Sequence, residues 1–136
     1  MTRKDEEVLT AFPAAAIDHD NLDLYRGLLE RRLLINRCSE CGYWHHPPRS
    51  VCPLCWSQTV IPTEIGGRGI VYMTVRTHQA RTVPELIATV ELAEQVGLRI
   101  SAMMIEEAHI GDSVEVDWIE RQQRPYPVFR LLRGDA

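Results

Sequence analysis

"CSECGYWHHPPRSVCPLC", residues 38–55, holds all four cysteines of this 136-residue chain. Two Cys-x-x-C pairs, Cys38/Cys41 and Cys52/Cys55, stand ten residues apart, with His45 and His46 between them. What these thiols hold decides the class of protein. Disulfides need an oxidising compartment, and the acid-containing start "MTRKDEEVLTAFPAAA" has no apolar signal core. A reducing cytoplasm is the expectation. A thioredoxin-type redox pair needs a single Cys-x-x-C opening a helix; here there are two pairs, and prolines occupy the following positions.

Metal binding remains. Cys-x-x-C lets two thiolates of one tight turn reach one ion, and a second such turn completes a tetrahedron. Gly42 after Cys41 suits a turn that needs positive φ, and Pro53 stiffens the second knuckle. Trp56 stands where the second knuckle has its counterpart of Gly42, which predicts a looser turn or an indole lying over the metal. The expected ligands are Cys38, Cys41, Cys52 and Cys55, with Zn2+ as the reading. Iron in a rubredoxin-like site is allowed by the same donors. Four thiolates saturate zinc and leave no vacancy, so the site reads as structural.

Outward from the cysteines, "DHDNLDLYRGLLERRLL" (18–34) carries Leu22, Tyr25, Leu28 or Leu29, and Leu33 at helical spacing. Asp18 or Asp20 is placed to cap it. This stripe packs on its own domain or on a partner. "LLINR" and "TVIPTEI" flank the cysteines as strands. After Gly66 the pattern changes to alternating, β-branched runs: "GGRGIVYMTVRTH", "LIATVELAE", "LRISAMMI", "SVEVDWIER" and "YPVFRLL". Five short strands separated by turn signals predict a small barrel of OB-fold type. The expected order is a flexible arm over 1–17, an N-terminal helix over 18–34, a rubredoxin-like zinc ribbon over 35–65 and an OB-fold barrel over 66–136. The fold class is mostly β.

The formal charge is −4, from 15 Lys and Arg against 19 Asp and Glu. Four ionised thiols around one divalent cation make it two units more negative. Nucleic-acid binders gain affinity by neutralising phosphates, so this balance makes nucleic acid unlikely as a partner. The barrel strands do carry Tyr72, Trp118, Tyr126 and Phe129, but Glu115, Asp117 and Glu120 lie among them. A nucleic-acid-binding module is therefore the alternative reading. No apolar run approaches the roughly 18 residues of a membrane span. His19, His78 and His109 sit in no motif, and no serine lies in a nucleophile elbow. No catalytic residue is expected.

The ordered series "RCSECG", "HPPR", "CPLC", "GRGIVYMTV" and "YPVFRLL" resembles the acyl-CoA-associated zinc-ribbon/OB-fold family, catalogued as a domain of unknown function. The resemblance runs from about residue 20 to residue 133. It implies a non-catalytic companion of a thiolase-superfamily enzyme, such as a thiolase, a steroid retro-aldolase or an acyl-CoA hydratase. Such a companion stabilises its enzyme as a separate subunit, with acyl-CoA in reach of the shared interface. Carried onto this chain, the four cysteines match the family's metal ligands. Tyr25 and Leu28 on the helix, and Arg68 and Arg76 on the barrel, are the candidate contacts to the partner or to CoA.

Overall fold

The computed structural model describes residues 5–133. The chain divides into two compact units, the first running to Ile65 and including Glu120–Tyr126, the second comprising Gly66–Ile119 and the residues from Pro127 onward.

The first unit opens with α1 (Asp5–Ala11), where a flexible arm was expected. A seven-residue helix has too few hydrogen bonds to persist alone in water; tertiary contacts hold this one. Val8 is fully buried and Phe12 nearly so. The Phe12 ring packs 5.0 Å from Tyr25 and lies 5.0 Å under the Arg124 guanidinium. Arg124 also donates to the Ala11 carbonyl, satisfying a group that the helix end leaves without a partner.

α2 (Leu22–Leu29) is shorter than the expected 18–34 helix at both ends. Asp18 is spent on a turn before it, its Oδ1 accepting from the N–H groups of Asp20 and Asn21 at 2.9 and 3.0 Å. At the far end Arg31 takes φ 56°, which stops the helix as a glycine usually does. The chain then enters β1 (Leu34–Cys38), the central strand of a three-stranded antiparallel sheet. β2 (Trp44–His45) and β3 (Val60–Glu64) flank it, Asn36 facing His45 on one side and Pro62 on the other. Leu33, Ile35, Trp44 and Ile65 supply the apolar filling around the ribbon.

A closed five-stranded barrel of β4 (Arg68–Arg76), β5 (Leu86–Leu92), β6 (Arg99–Met104), β7 (Ser113–Arg121) and β8 (Arg124–Leu131) makes up the second unit, apart from the β7 and β8 residues within Glu120–Tyr126. Its order is β4-β5-β6-β8-β7. β6 and β8 run parallel, Met103 beside Val128 and Met104 beside Phe129; β4 and β7 close the ring antiparallel. This is the Greek-key closure of an OB-fold. The inward positions follow the alternation of the sequence: Leu86, Ala88, Val90 and Leu92 are buried along β5, with Val71, Val114, Val128 and Phe129 opposite. The close approach of β4 to β5 explains Gly69, where any Cβ would stand 2.3 Å from the Glu91 carbonyl oxygen.

Candidate metal centre

The ribbon sheet brings the two Cys-x-x-C turns together. Cys38 ends β1, and Cys41 follows in the turn before β2. Cys52 and Cys55 lie on the loop between β2 and β3. All four Sγ atoms fall within 4.8 Å of one another, with Cys38–Cys55 at 3.6 Å and Cys41–Cys52 at 3.7 Å. A regular tetrahedron with Zn–S near 2.3 Å has S···S edges of about 3.8 Å. The thiols are free, not disulfide-bonded; Cys38 and Cys52 are buried, Cys41 and Cys55 exposed.

Each turn is closed by the same backbone hydrogen bonds. Gly42 N–H donates to the Cys38 carbonyl and Trp56 N–H to the Cys52 carbonyl, both at 2.9 Å. Cys38 N–H donates to Tyr43 and Cys52 N–H to Ser57, again both at 2.9 Å. Gly42 has φ 78° and Trp56 φ 67°. The second knuckle is thus as tight as the first, contrary to the looser turn expected from Trp56. Nor does the indole cover the cluster: Trp56 is 77% exposed.

Electrostatics split the thiols into pairs. The Cys41 N–H holds the Cys38 thiol down at about 6 against burial, with help from Glu40 N–H and the thiols of Cys55 and Cys41. Burial works against ionisation of Cys52, but the N–H groups of Cys55 and Leu54 prevail and lower it. Cys41 is pushed up: its hydrogen bond from Tyr43 favours the thiolate, but burial and the thiols of Cys52 and Cys38 outweigh it. At Cys55 the Ser57 N–H likewise loses to burial and to the thiols of Cys41 and Cys38, which push it up to about 12. Two thiolates crowded together resist two more, and a divalent cation at the centre removes that resistance. The donor set fits a tetrahedral ion, which would supply structural cross-linking there.

His45 and His46 are not part of the cluster. His45 is buried with both ring nitrogens unpartnered in the structure, and Nδ1 of His46 is likewise unpartnered. Burial lowers both histidines from their ordinary value. Among the described residues the four cysteines are the one group of three or more metal-type donors converging on a point.

Of the expected contact residues, Tyr25 and Leu28 lie in the first unit and Arg68 and Arg76 in the second. Tyr25 is packed inside the first unit against Phe12, and Leu28 is half-buried on α2. Arg68 and Arg76 stand at opposite ends of β4, separated by roughly 25 Å of strand at about 3.3 Å per residue. Each has its own carboxylate: Arg68 meets Glu115 at 3.6 Å, and Arg76 holds both oxygens of Glu107 at 2.8 and 3.0 Å. They cannot grip one diphosphate together. Three aromatics of the nucleic-acid alternative are buried or carry an arginine on the ring. Phe129 lies in the barrel core, Tyr72 is covered by Arg99 at 3.8 Å and Tyr126 by Arg121 at 5.3 Å.

No described helix is long and apolar enough to cross a membrane. Residues 26–60 match the family model described as the ChsH2 rubredoxin-like zinc ribbon domain. A curated protein of Thermomonospora curvata, "Probable enoyl-CoA hydratase alpha subunit", is 35% identical over 125 residues. That alignment covers 87% of this chain and 39% of the relative, so the chain spans about two-fifths of that protein's length. Among solved structures, a chain of the "Ltp2-ChsH2(DUF35) aldolase" is 35% identical, with a TM-score of 0.76 over 86% of this chain and 98% of that one. A DUF35 protein of unknown function from Sulfolobus solfataricus shares the fold, with a TM-score of 0.62 at 17% identity over 93% of this chain and 96% of that one. With its four-cysteine ribbon, its OB-fold barrel and a full-length relative of this kind, the chain belongs to the DUF35 family of zinc-ribbon proteins that includes ChsH2.

Proposed function

We propose that this protein is a non-catalytic accessory subunit that binds and stabilises a thiolase-superfamily acyl-CoA enzyme, a steroid or fatty acyl-CoA thiolase or retro-aldolase. The observation that carries the reading is the match of nearly the whole ChsH2-type chain from an aldolase assembly to this one. The metal chemistry supports it. Cys38, Cys41, Cys52 and Cys55 would hold Zn2+ as a structural ion, and four thiolates leave it no position for water or substrate. Zinc is favoured over iron because the ion's task here is rigidity, which needs no redox couple. Reduced thiols in such a cluster suit a cytoplasmic protein.

In this role the metal makes the ribbon stiff enough to present a fixed surface, and the enzyme supplies the reacting groups and the acyl-CoA site. The test is co-expression of the full chain with the aldolase- or thiolase-type enzyme that co-purifies with it from its host. The two chains are expected to elute together, and the enzyme to lose activity or solubility without its companion. Separate elution with unchanged enzyme activity overturns the assignment. Turnover of an acyl-CoA by the isolated chain overturns its non-catalytic part. Elemental analysis of the same sample is expected to give one zinc per chain.

A further inference from the structure

Strand β4 breaks the alternation that its neighbour β5 obeys. Its register against β5 shifts between Val71 and Met73, so Tyr72 is the extra residue of a β-bulge. Before the bulge Val71 faces Val90, both buried in the core; after it Thr74 faces Ala88 and Arg76 faces Leu86. The consequence is that Met73 and Val75 join Ile70 and Tyr72 on the solvent side, at 42, 50, 47 and 49% exposure respectively. Across the sheet the stripe continues through Ile87, opposite Val75, to Met103, opposite Ile87. The outer face of an antiparallel sheet is ordinarily polar. Thr89 and Glu91, opposite Met73 and Ile70 on β5, bound the stripe; an exposed apolar cluster of this kind marks an interaction surface.

Beyond Val71 the outer edge of β4 is also open. Its ladder to β7 covers only Arg68, Gly69 and Ile70 among the described residues, and Val71 is the last to bond across, to Asp112 and Gly111. An open apolar edge invites other chains. The charge around it says which kind. Arg68, Arg76 and Arg99 around it pair with Glu115, Glu107 and Glu91, and Arg81 adds a local positive excess in a chain whose net charge is −4. Arg99 also stands on this face, over Tyr72.

We propose that the outer face of β4, from Ile70 to Val75 with Ile87 and Met103, is the surface that docks the partner enzyme, on an apolar patch rimmed by carboxylates. This rests on the accessory-subunit function proposed above. A second copy of this chain fits less well, because the arginine-bearing arm would meet its own like charges. Nucleic acid fits less well too: the ring on this face, Tyr72, already stacks with Arg99 at 3.8 Å, and Ile70, Met73, Val75 and Met103 offer none for a base to stack on.

The test uses full-length, metal-loaded protein and the co-purifying enzyme, produced recombinantly, with affinity measured by titration calorimetry. Met73→Glu and Val75→Glu add charge at exposed positions, so the fold should hold; unchanged circular dichroism and metal content verify this. Each is expected to weaken binding by about thirtyfold or more, as loss of an interface anchor does. Ile61→Glu, exposed on the ribbon strand β3, is the control and should bind like wild type. Arg81→Glu should slow association and reverse its salt dependence. If wild type binds the enzyme and both face variants bind equally well, the docking face is wrong and the accessory function stands. If wild type does not bind at all, both fall. A wild-type homodimer that Val75→Glu makes monomeric, or displacement of the enzyme by single-stranded DNA, also overturns the proposal.

Discussion

The two knuckles of the ribbon have the same backbone and opposite side chains. Both close with paired 2.9 Å hydrogen bonds, and both place the residue after the second cysteine in the left-handed region. In the first knuckle that residue is glycine, which occupies this region without strain. A Cβ there would meet nothing nearer than an Arg37 nitrogen at 3.6 Å, so the demand for glycine is one of backbone angle, not of space. In the second it is tryptophan, for which left-handed geometry costs roughly 1–2 kcal/mol. Ligand spacing dictates the turn, and the local preference of Trp56 yields to it. The surroundings differ as well. The first knuckle is braced by Arg37, which donates to the Gly42 carbonyl at 3.1 Å and lies 4.9 Å over Trp44. The second leaves Leu54 and Trp56 in solvent; besides the thiol cluster it meets the first at its exit, where Ser39 N–H and Oγ both reach the Thr59 carbonyl.

Removing a ligand should erase the comparison. Cys52→Ser takes a buried donor from the cluster, and apparent binding energies of structural zinc are about 10–16 kcal/mol in finger peptides. Amides of both knuckles should lose exchange protection together while the β5 core amides keep theirs, with metal content falling to near zero. A metal-free variant with protected ribbon amides would show that the apolar filling alone holds both turns.

Exchanging the knuckle residues sharpens it. Gly42→Ala should destabilise the metal-loaded protein by about 1–2 kcal/mol through backbone strain. Trp56→Gly should stabilise it by up to about 1 kcal/mol, reduced by the extra freedom glycine gives the unfolded chain. Denaturant midpoints of the two variants should therefore move in opposite directions. Arg37→Met removes the brace of the first knuckle and should cost a smaller amount, about 0.5–1 kcal/mol, as an exposed cation–π contact does.

The smallest effect at neutral pH comes from the strap between the knuckles. Burial lowers His45 from its ordinary value of 6.5, so below that pH the unfolded chain takes up a proton that the folded chain resists. Stability contributed by neutral His45 is thus complete above about pH 6.5 and is lost as pH falls below it. His45→Phe, similar in shape and apolar, should leave stability at pH 7.5 nearly unchanged and flatten its fall toward pH 5.5. Parallel curves for wild type and variant would assign the acid loss to the thiols alone.

The convergence of the four thiols was legible because two Cys-x-x-C turns write it into spacing alone. The five barrel strands were legible because alternation of apolar and polar residues is also local. Other features were hidden by distance along the chain. α1 is held by Arg124, 113 residues away from Ala11, and nothing in "DEEVLTA" announces that partner. The separation of Arg68 from Arg76 follows from their lying on one extended strand, which composition cannot show.

By itself, then, the amino-acid sequence determined which atoms can hold an ion and which residues can line a barrel, since both depend on neighbours a few positions apart. Only tertiary structure decided that Trp56 must bend like a glycine, that β6 and β8 run side by side, and that a bulge at Tyr72 turns an apolar stripe toward solvent. The β6–β8 pairing and the bulge arise where segments far apart in the chain impose a geometry that neither prefers alone, and Trp56 bends because its knuckle closes on a cluster shared with Cys38 and Cys41.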